Sequence, residues 1–254
     1  MNKTMIIEKM KLKKKLKNGV LLVGLPGIGL IGQVAAKYIA KEINAQPLAV
    51  LYSPYFPHQV LMTKKGTMRL IKNSFYITKT KNFDLVILFG DIQAISSKGQ
   101  YEIAGEILEY AKKIGIKRVI SIGGYSTGTI TENRRIFGVV TNPERIKELE
   151  KLGVVFGEAK GSIVGAAGLL PALSKLYDME GICLLGETHG GYVDTTAAKE
   201  IVQLLSKYLS FTINLKQIEQ RAKKTEKILK ELEEEIRKSV EGEQKQGKNI
   251  SYIR

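Results

Sequence analysis

Short runs of consecutive apolar residues alternate along the chain with segments in which apolar residues recur every three or four positions. The short runs are rich in β-branched residues and predict strands, whereas the longer period predicts helices. Strands are predicted at residues 20–23, 48–51, 85–89, 118–122, 153–156 and 182–185. Helices are predicted at residues 30–43, 100–114, 143–152, 166–177 and 196–209. This alternation predicts an α/β fold with a mixed, mainly parallel sheet flanked by helices.

The pattern changes between residues 60 and 80. Lys64-Lys65-Gly66 and Lys72-Asn73 predict tight turns that join three short strands. An antiparallel meander is therefore expected to extend the parallel sheet. Residues 135–140 predict one more strand outside the main alternation.

The region after residue 210 has a heptad pattern, in which apolar residues step alternately by four and by three. The seam contains Leu215, Ile218, Ala222, Leu229, Leu232 and Ile236. Neither glycine nor proline interrupts residues 215–240, so a long C-terminal helix is predicted over 211–240. Its narrow apolar stripe needs a partner, which is either the body of the same chain or the same helix of another subunit.

The last residues combine a polar spacer with an apolar tip. Residues 241–249 are polar and predict disorder, so 241–254 is interpreted as a flexible tail. The tip contains Ile250, Tyr252, Ile253 and Arg254. A tip of this kind is suited to a pocket on a partner, and folding back onto its own subunit is an equal alternative.

Charge is the strongest bias in the composition. The 254 residues carry a net charge of +15, and residues 1–17 hold seven lysines and one glutamate. These residues predict a basic, solvated arm in front of a core domain at 18–210. The arm has no arginine or aromatic residue on which bases would stack, which disfavours nucleic acid and leaves acidic protein surfaces as targets. A basic RNA-associated protein stays an alternative.

Scarce residue types narrow the function classes further. No apolar run approaches the roughly 18 residues of a membrane span, so no membrane segment is expected. The single cysteine, Cys183, lies in an apolar run and is interpreted as a buried hydrophobic residue. The chain has two histidines, so no metal site is expected, and its cysteine content fits a reducing cytoplasm.

A glycine-rich turn directly follows the first predicted strand. Gly27, Gly29 and Gly32 match G-x-G-x-x-G, the pattern of dinucleotide-binding turns. A dinucleotide site also needs a carboxylate about 20 positions later, and the end of the second predicted strand has none. The turn is therefore interpreted as a tight strand-to-helix connection or, at most, an anion-binding nest, and no cofactor is expected.

The ends of the predicted strands form a candidate cleft, because ligands of open α/β sheets bind at the carboxyl ends of the strands. Besides the turn glycines, the cleft would contain Asp91, Gly123, Gly124, Glu187 and His189. In an enzyme, His189 would act as a base and Ser126 or Thr127 as a nucleophile. The sequence contains neither a G-x-S-x-G elbow nor a P-loop, so no catalytic residue is assigned. An enzyme of the nucleoside phosphorylase or hydrolase type stays the alternative.

Several segments together resemble one family. Residues 24–32, Gly-Leu-Pro-Gly-Ile-Gly-Leu-Ile-Gly, resemble the N-terminal signature of the proteasome assembly chaperone family in its archaeal branch. Three later segments are similar to that family too, at residues 89–91, 165–170 and 186–198. The resemblance covers about residues 18–210, with the segments in the right order.

The resemblance implies an α/β fold related to the nucleoside phosphorylases, without a demonstrated catalytic role. Members are often labelled as related to ATP-grasp proteins, but nothing in this sequence supports ATP binding. The resemblance further implies a homo-oligomer, a tetramer or pentamer, that binds the α-subunits of the proteasome core particle.

The resemblance also suggests a role for the tail. Proteasome activators and some of these chaperones end in a hydrophobic-Tyr-X motif that enters pockets between α-subunits. Here Tyr252 is third from the end rather than second, so the tip keeps the chemical character in a shifted register. The chain is interpreted as a cytoplasmic, non-enzymatic assembly factor whose tail docks on the α-ring.

Overall fold

The secondary structure agrees closely with the predicted alternation of strands and helices. The computed structural model describes residues 1–80, 82–129, 131, 133–220 and 222. The strands are β1 (Met5–Glu8), β2 (Gly19–Gly24), β3 (Gln46–Tyr52), β4 (Val60–Met62), β5 (Met68–Leu70), β6 (Asn73–Lys79), β7 (Asp84–Gly90), β8 (Ile116–Ser126), β9 (Ile136–Val140), β10 (Val154–Val155) and β11 (Glu180–Thr188). The α-helices are α1 (Ile31–Glu42), α2 (Ser97–Ile114), α3 (Glu144–Glu150), α4 (Ala166–Ser174) and α5 (Thr195–Tyr208).

A nine-stranded sheet has the order β1-β3-β6-β7-β2-β8-β11-β9-β10. The central strands β7, β2, β8 and β11 run parallel, and antiparallel pairs flank them on both sides. Every residue of β2 is buried, as is typical of a parallel strand that is covered on both faces. The predicted α/β fold with a mixed sheet and parallel centre is confirmed.

Helices cover both faces of this sheet. α1 and α5 pack together on one face, and α2 and α4 pack together on the other. Successive side chains of β2 point to opposite faces. Leu21 and Val23 therefore join the core beneath α2 and α4, whereas Val20 and Leu22 join the core beneath α1 and α5.

The charge pattern predicted a solvated arm over the first 17 residues, but the structure places part of it in the main sheet. β1 pairs antiparallel with β3, and the hydroxyl of the buried Thr4 lies 2.9 Å from the hydroxyl of Ser53. The prediction was wrong because an edge strand needs only a short apolar run, here Met5-Ile6-Ile7, and the lysines around it dominate the composition. The lysines at positions 9–17 are nevertheless exposed.

The expected meander is also corrected. β4 and β5 form a two-stranded hairpin of their own, and β6 joins the main sheet. The hairpin cannot extend the sheet through β6, because β6 already pairs with β3 on one side and β7 on the other. The strand predicted at residues 135–140 is β9, which lies inside the sheet and antiparallel to β11.

The first residues of the predicted C-terminal helix pack on the body of the same chain. Residues 216–220 are helical, Ile218 is buried in the core formed by α1 and α5, and Ala222 is buried as well. The Tyr38 hydroxyl donates a hydrogen bond to the Asn214 carbonyl, and Lys41 Nζ lies 3.1 Å from Gln217 Oε1. The later seam positions Leu229, Leu232 and Ile236, and the tail 241–254, lie outside the described residues.

A carboxylate at the start of β11 should make folding stability depend on acid pH. Partial burial alone would raise the pKa of Glu180, but hydrogen bonds from Arg145, Asn142 and Arg118 outweigh it and lower the pKa to about 2. A group with a lowered pKa stabilises the fold above its unfolded pKa of roughly 4.3 and loses that contribution as the pH falls through its folded pKa.

We therefore expect Glu180→Gln to reduce the free energy of unfolding near neutral pH, and the difference from the native protein to vanish between about pH 4.3 and pH 2. Because the side chain is partly exposed, the reduction at neutral pH should be about 1 kcal/mol or less. Urea unfolding at a series of pH values measures the difference. A difference that stays constant down to pH 2 would contradict this assignment.

Candidate functional site

The carboxyl ends of the parallel strands meet at one edge of the sheet, and the glycine-rich turn lies there between β2 and α1. Gly27 is extended, Ile28–Leu30 form one 3₁₀ turn, and α1 begins at Ile31. Gly29 has a φ of 63°, in the left-handed region that glycine adopts without strain. The turn thus reverses the chain within a few residues and directs it into the helix.

Close packing explains the glycines of this edge. A Cβ atom on Gly24 would lie 2.0 Å from the carbonyl oxygen of Gly32, and one on Gly32 would lie 2.5 Å from that of Ile122 in β8. A Cβ atom on Gly124 would lie 2.5 Å from the carbonyl oxygen of Ile28. The backbones of the turn, α1 and β8 therefore approach each other more closely than any side chain would permit.

Neighbouring loops occupy the polar groups of the turn. The Leu30 amide donates to the Gly27 carbonyl at 2.9 Å, and the Gly29 carbonyl accepts from the Asp194 amide at 2.9 Å. Gln93 Nε2 donates to the Pro26 carbonyl at 2.5 Å, while Gln93 Oε1 accepts from the backbone amide at the start of α4 at 2.8 Å. The protein itself therefore braces the turn from two sides through its carbonyl oxygens, which agrees with a structural role for the turn.

The packing role can be tested on two helical glycines. Gly32→Ala should lower the free energy of unfolding by about 1–3 kcal/mol, the usual cost of overpacking, because its Cβ would meet backbone. Gly105→Ala in α2 is the matched control, since its Cβ would lie 3.6 Å from the Tyr177 hydroxyl, an ordinary contact. The control should gain about 0.5–1 kcal/mol from helix propensity. Thermal and urea unfolding measure both variants. If Gly32→Ala and Gly105→Ala changed the free energy of unfolding equally, the packing account would be contradicted.

The acidic residues of the expected cleft are paired with separate arginines. Asp91 accepts hydrogen bonds from Arg69 at 2.6 and 3.0 Å; burial alone would raise the pKa of Asp91, but these bonds lower it. Glu187 is almost fully buried and accepts two bonds from Arg135 at 3.0 Å, which lower the pKa of Glu187. Both carboxylates are therefore held ionised, a state suited to ion pairing and unsuited to donating a proton.

Strand order keeps the expected cleft residues apart. Asp91 follows β7 and Glu187 belongs to β11, and β2 and β8 lie between these strands. At about 4.8 Å per strand spacing, the two positions are roughly 14 Å apart. Asp91 therefore does not join Glu187 and His189 in one cluster.

His189 and Ser126 do not form a base and nucleophile pair in this structure. His189 is exposed, its ring stacks on Tyr192 with centroids 5.8 Å apart, and its Nδ1 accepts from the Gly191 amide at 3.3 Å. The Ser126 hydroxyl donates to the backbone carbonyl of His189 at 2.8 Å rather than to its ring. Gly123, in contrast, contacts the core, where a Cβ would lie 2.9 Å from Leu185.

The partners that surround Asp194 in a buried polar network beneath the turn are what the sequence analysis missed. Asp194 Oδ2 accepts from Arg134 Nε at 3.1 Å and from the Thr188 hydroxyl at 2.8 Å. Asp194 Oδ1 accepts from the Ala197 amide at 2.9 Å and so caps α5, while Arg134 also donates to the Tyr192 hydroxyl at 3.1 Å. The network holds the loop before β9, the loop after β11 and the glycine turn together.

The described part of the chain shows neither a cluster of metal ligands nor a membrane-spanning helix. Over residues 1–220 and 222, with 81, 130 and 132 excepted, no group of three or more His, Cys, Asp or Glu side chains is placed to hold a metal ion. No helix in the same part is long and apolar enough to cross a membrane.

Cys183 is buried, as expected, and desolvation raises the pKa of its thiol to about 11.

Comparison with known families adds the deciding observation: the model of the PAC2 family matches residues 21–233. The chain belongs to the PAC2 family. The match contains the glycine-rich turn, the strand ends and the buried network, so the PAC2 assignment rests on the whole core rather than on one motif.

Relatives of this PAC2 protein are known in archaea. It is 34% identical to the uncharacterised protein MJ1210 of Methanocaldococcus jannaschii over 98% of this chain and 97% of the relative. The structure of Pyrococcus furiosus PbaB, an archaeal proteasome activator, is 37% identical with a TM-score of 0.86, covering 92% of this chain and 100% of PbaB. Pyrococcus furiosus PbaA, an archaeal homolog of proteasome-assembly chaperone, is 27% identical with a TM-score of 0.75, covering 99% of this chain and 100% of PbaA.

These similarities confirm the resemblance to the proteasome assembly chaperone family. They also confirm the α/β fold, which a PAC2 protein of Streptomyces avermitilis shares at 14% identity and a TM-score of 0.70 over 84% of this chain and 95% of that one. The relation to the nucleoside phosphorylases stays a prediction.

Proposed function

We propose that this PAC2 protein is a non-enzymatic factor that binds the α-subunits of the proteasome core particle. The observation that carries the proposal is the 37% identity with PbaB over the whole of that chain, because PbaB is a proteasome activator. PbaA, a homolog of proteasome-assembly chaperone, is less similar at 27% identity. The difference favours action on the finished particle over action during its assembly.

The chemistry of the carboxyl edge supports a binding role over an enzymatic one. Asp91 and Glu187 are neutralised by different arginines, and the Ser126 hydroxyl is engaged with a backbone carbonyl. Gly24 and Gly32, at the two ends of the turn, pack against backbone instead of lining an open phosphate site. The phosphorylase or hydrolase alternative therefore gains no support from the described residues.

The proposal assigns two roles to the C-terminal region. Seam positions beyond Ala222 would contribute to a homo-oligomer, a tetramer or pentamer, since the earlier positions are covered by their own subunit. The tip with Ile250, Tyr252, Ile253 and Arg254 would dock on the α-ring, and several tips on one oligomer would gain avidity from weak single contacts. The proposed place of action is the cytoplasm.

A peptidase assay tests the proposal. Core particle from the source organism is incubated with the full-length protein and a short fluorogenic peptide, and in parallel its separate subunits are allowed to assemble with and without the protein. An activator raises hydrolysis by the finished particle severalfold, whereas an assembly factor raises only the yield of new particles. No effect in either assay, together with no binding to α-subunits, would overturn the proposed function.

A further inference from the structure

The hairpin formed by β4 and β5 presents an apolar face to solvent. Its cross-strand pairs Val60–Leu70 and Met62–Met68 lie on the same face, because they are two positions apart on each strand. Met62 is 92% exposed and Met68 77%, while Val60 and Leu70 are about half exposed. These four side chains are called the hairpin face below.

The opposite face of the hairpin fixes it to the body of the protein. Leu61 packs against the core beneath α2 and α4, and Arg69 makes its two bonds to Asp91 at the end of β7. At the tip, the hydroxyls of Thr63 and Thr67 are 2.7 Å apart. The hairpin face is therefore held outward by contacts on the other side.

An apolar groove of about 360 Å³ continues the hairpin face at its base. Val60 and Leu70 belong to both the face and the groove. The rest of the groove is lined mainly by Met1, Tyr52, Pro54, Phe56, Pro57 and His58. A projecting apolar element and an apolar depression thus lie side by side on one chain.

We propose that the hairpin face and this groove form a contact between copies of this chain, separate from the C-terminal seam. The inference rests on the self-association included in the proposed function, and it names a second surface that contributes to it. The four side chains of the hairpin face expose on the order of 400–500 Å², within the roughly 300–600 Å² of the largest apolar patch on a typical monomer, which is often functional. Two such surfaces together with the groove approach the roughly 1,200 Å² at which stable interfaces begin.

The chemistry of the face favours a second copy over a transient partner. The hairpin face contains no charged or hydrogen-bonding side chain, and permanent interfaces are depleted of charge at their centre. An apolar hairpin left bare is also an aggregation hazard, so it needs a partner that is present whenever the chain is present. A second copy meets that condition.

The position of the hairpin agrees with the proposed function. It connects the carboxyl end of β3 to the start of β6, so it lies at the carboxyl edge of the sheet. The C-terminal segment instead runs past the last turns of α1, where Tyr38 and Lys41 contact it, at the amino edge. Association through the hairpin therefore leaves the amino edge, where Asn214 and Gln217 lie, available to another partner.

The experiment compares the mass in solution of the full-length protein and of two double variants by analytical ultracentrifugation. Met62→Asp with Met68→Asp should lower the mass of the oligomer, with an unchanged far-ultraviolet circular dichroism spectrum. Val164→Asp with Leu176→Asp is the matched control, because these residues are 87% and 76% exposed elsewhere on the molecule, and it should keep the native mass.

A second readout on the native protein is the rate of methionine oxidation by hydrogen peroxide. Met62 should oxidise several times more slowly than Met10, although Met10 is only 38% exposed in the single chain.

Each outcome decides between the inference and the proposed function. An oligomer that survives both double variants, with Met62 oxidised faster than Met10, overturns the hairpin contact and leaves self-association standing. A native protein that is monomeric overturns the inference and the self-association on which it rests, whereas binding to α-subunits is decided by its own assay. A hairpin variant that keeps its oligomeric mass but loses binding to the proteasome overturns the inference, since the hairpin face would then serve another protein.

Discussion

Replacing Asp194 with alanine is expected to lower the free energy of unfolding by about 3–5 kcal/mol, the usual effect of breaking a buried ion pair from one side. The side chains of Asp194 and Arg134 are only 1% and 2% exposed. The change leaves the Arg134 guanidinium buried without its countercharge, and it removes the acceptor for the Thr188 hydroxyl. It also removes the cap of α5, because the Ala197 amide loses its partner.

Urea unfolding measures this effect, and two comparisons make it specific. Lys112→Ala breaks an exposed ion pair with Asp178 and should change stability little. Arg134→Leu combined with Asp194→Ala should be less destabilised than Asp194→Ala alone, because no unpaired charge remains buried. An Asp194→Ala protein within 1 kcal/mol of the native one would contradict the structural role of the network.

Deleting residues 250–254 is expected to weaken binding to the proteasome core particle by a factor of about 10²–10⁴. The large factor arises because every subunit of the oligomer loses its tip at once, and avidity is lost with it. The prediction rests on the sequence of the tip, which lies outside the described residues. The mass of the oligomer should not change, since the hairpin and the seam are intact.

Surface plasmon resonance on immobilised core particle measures the deletion. Tyr252→Ala should reproduce most of the loss, and the neighbouring Ser251→Ala serves as the matched control with little effect. Unchanged affinity after the deletion would rule out docking through the tail, while leaving other contacts with the α-ring open to test.

Local periodicity predicted most of the fold because the interior of this sheet is built from regular elements. Residues 20–23 and 30–43 were recognised as strand and helix, and they correspond to β2 and α1. β1 was missed because it lies at the edge of the sheet, where burial is one-sided and its few apolar residues carry little periodic signal. The strands of the β4–β5 hairpin were predicted, but their pairing only with each other was not, because a local pattern does not specify which strands pair.

The candidate site was only partly predictable because it depends on contacts between distant residues. The motif around Asp194 was recognised, but its partner Arg134 lies 60 positions away, and no local pattern connects them. The structure separates the residues of the expected cleft for a related reason. A sequence indicates which residues follow strands, whereas the strand order that separates Asp91 from Glu187 is set by the tertiary structure.

Native mass spectrometry of the full-length protein, alone and mixed with the proteasome core particle, tests the central claim most directly. The account predicts a discrete homo-oligomer that adds to the particle as a whole, with a mass that gives the number of subunits bound to each α-ring. An oligomer that binds neither the core particle nor separate α-subunits would contradict this claim. An oligomer that retains a small molecule would contradict it too and would favour an enzyme.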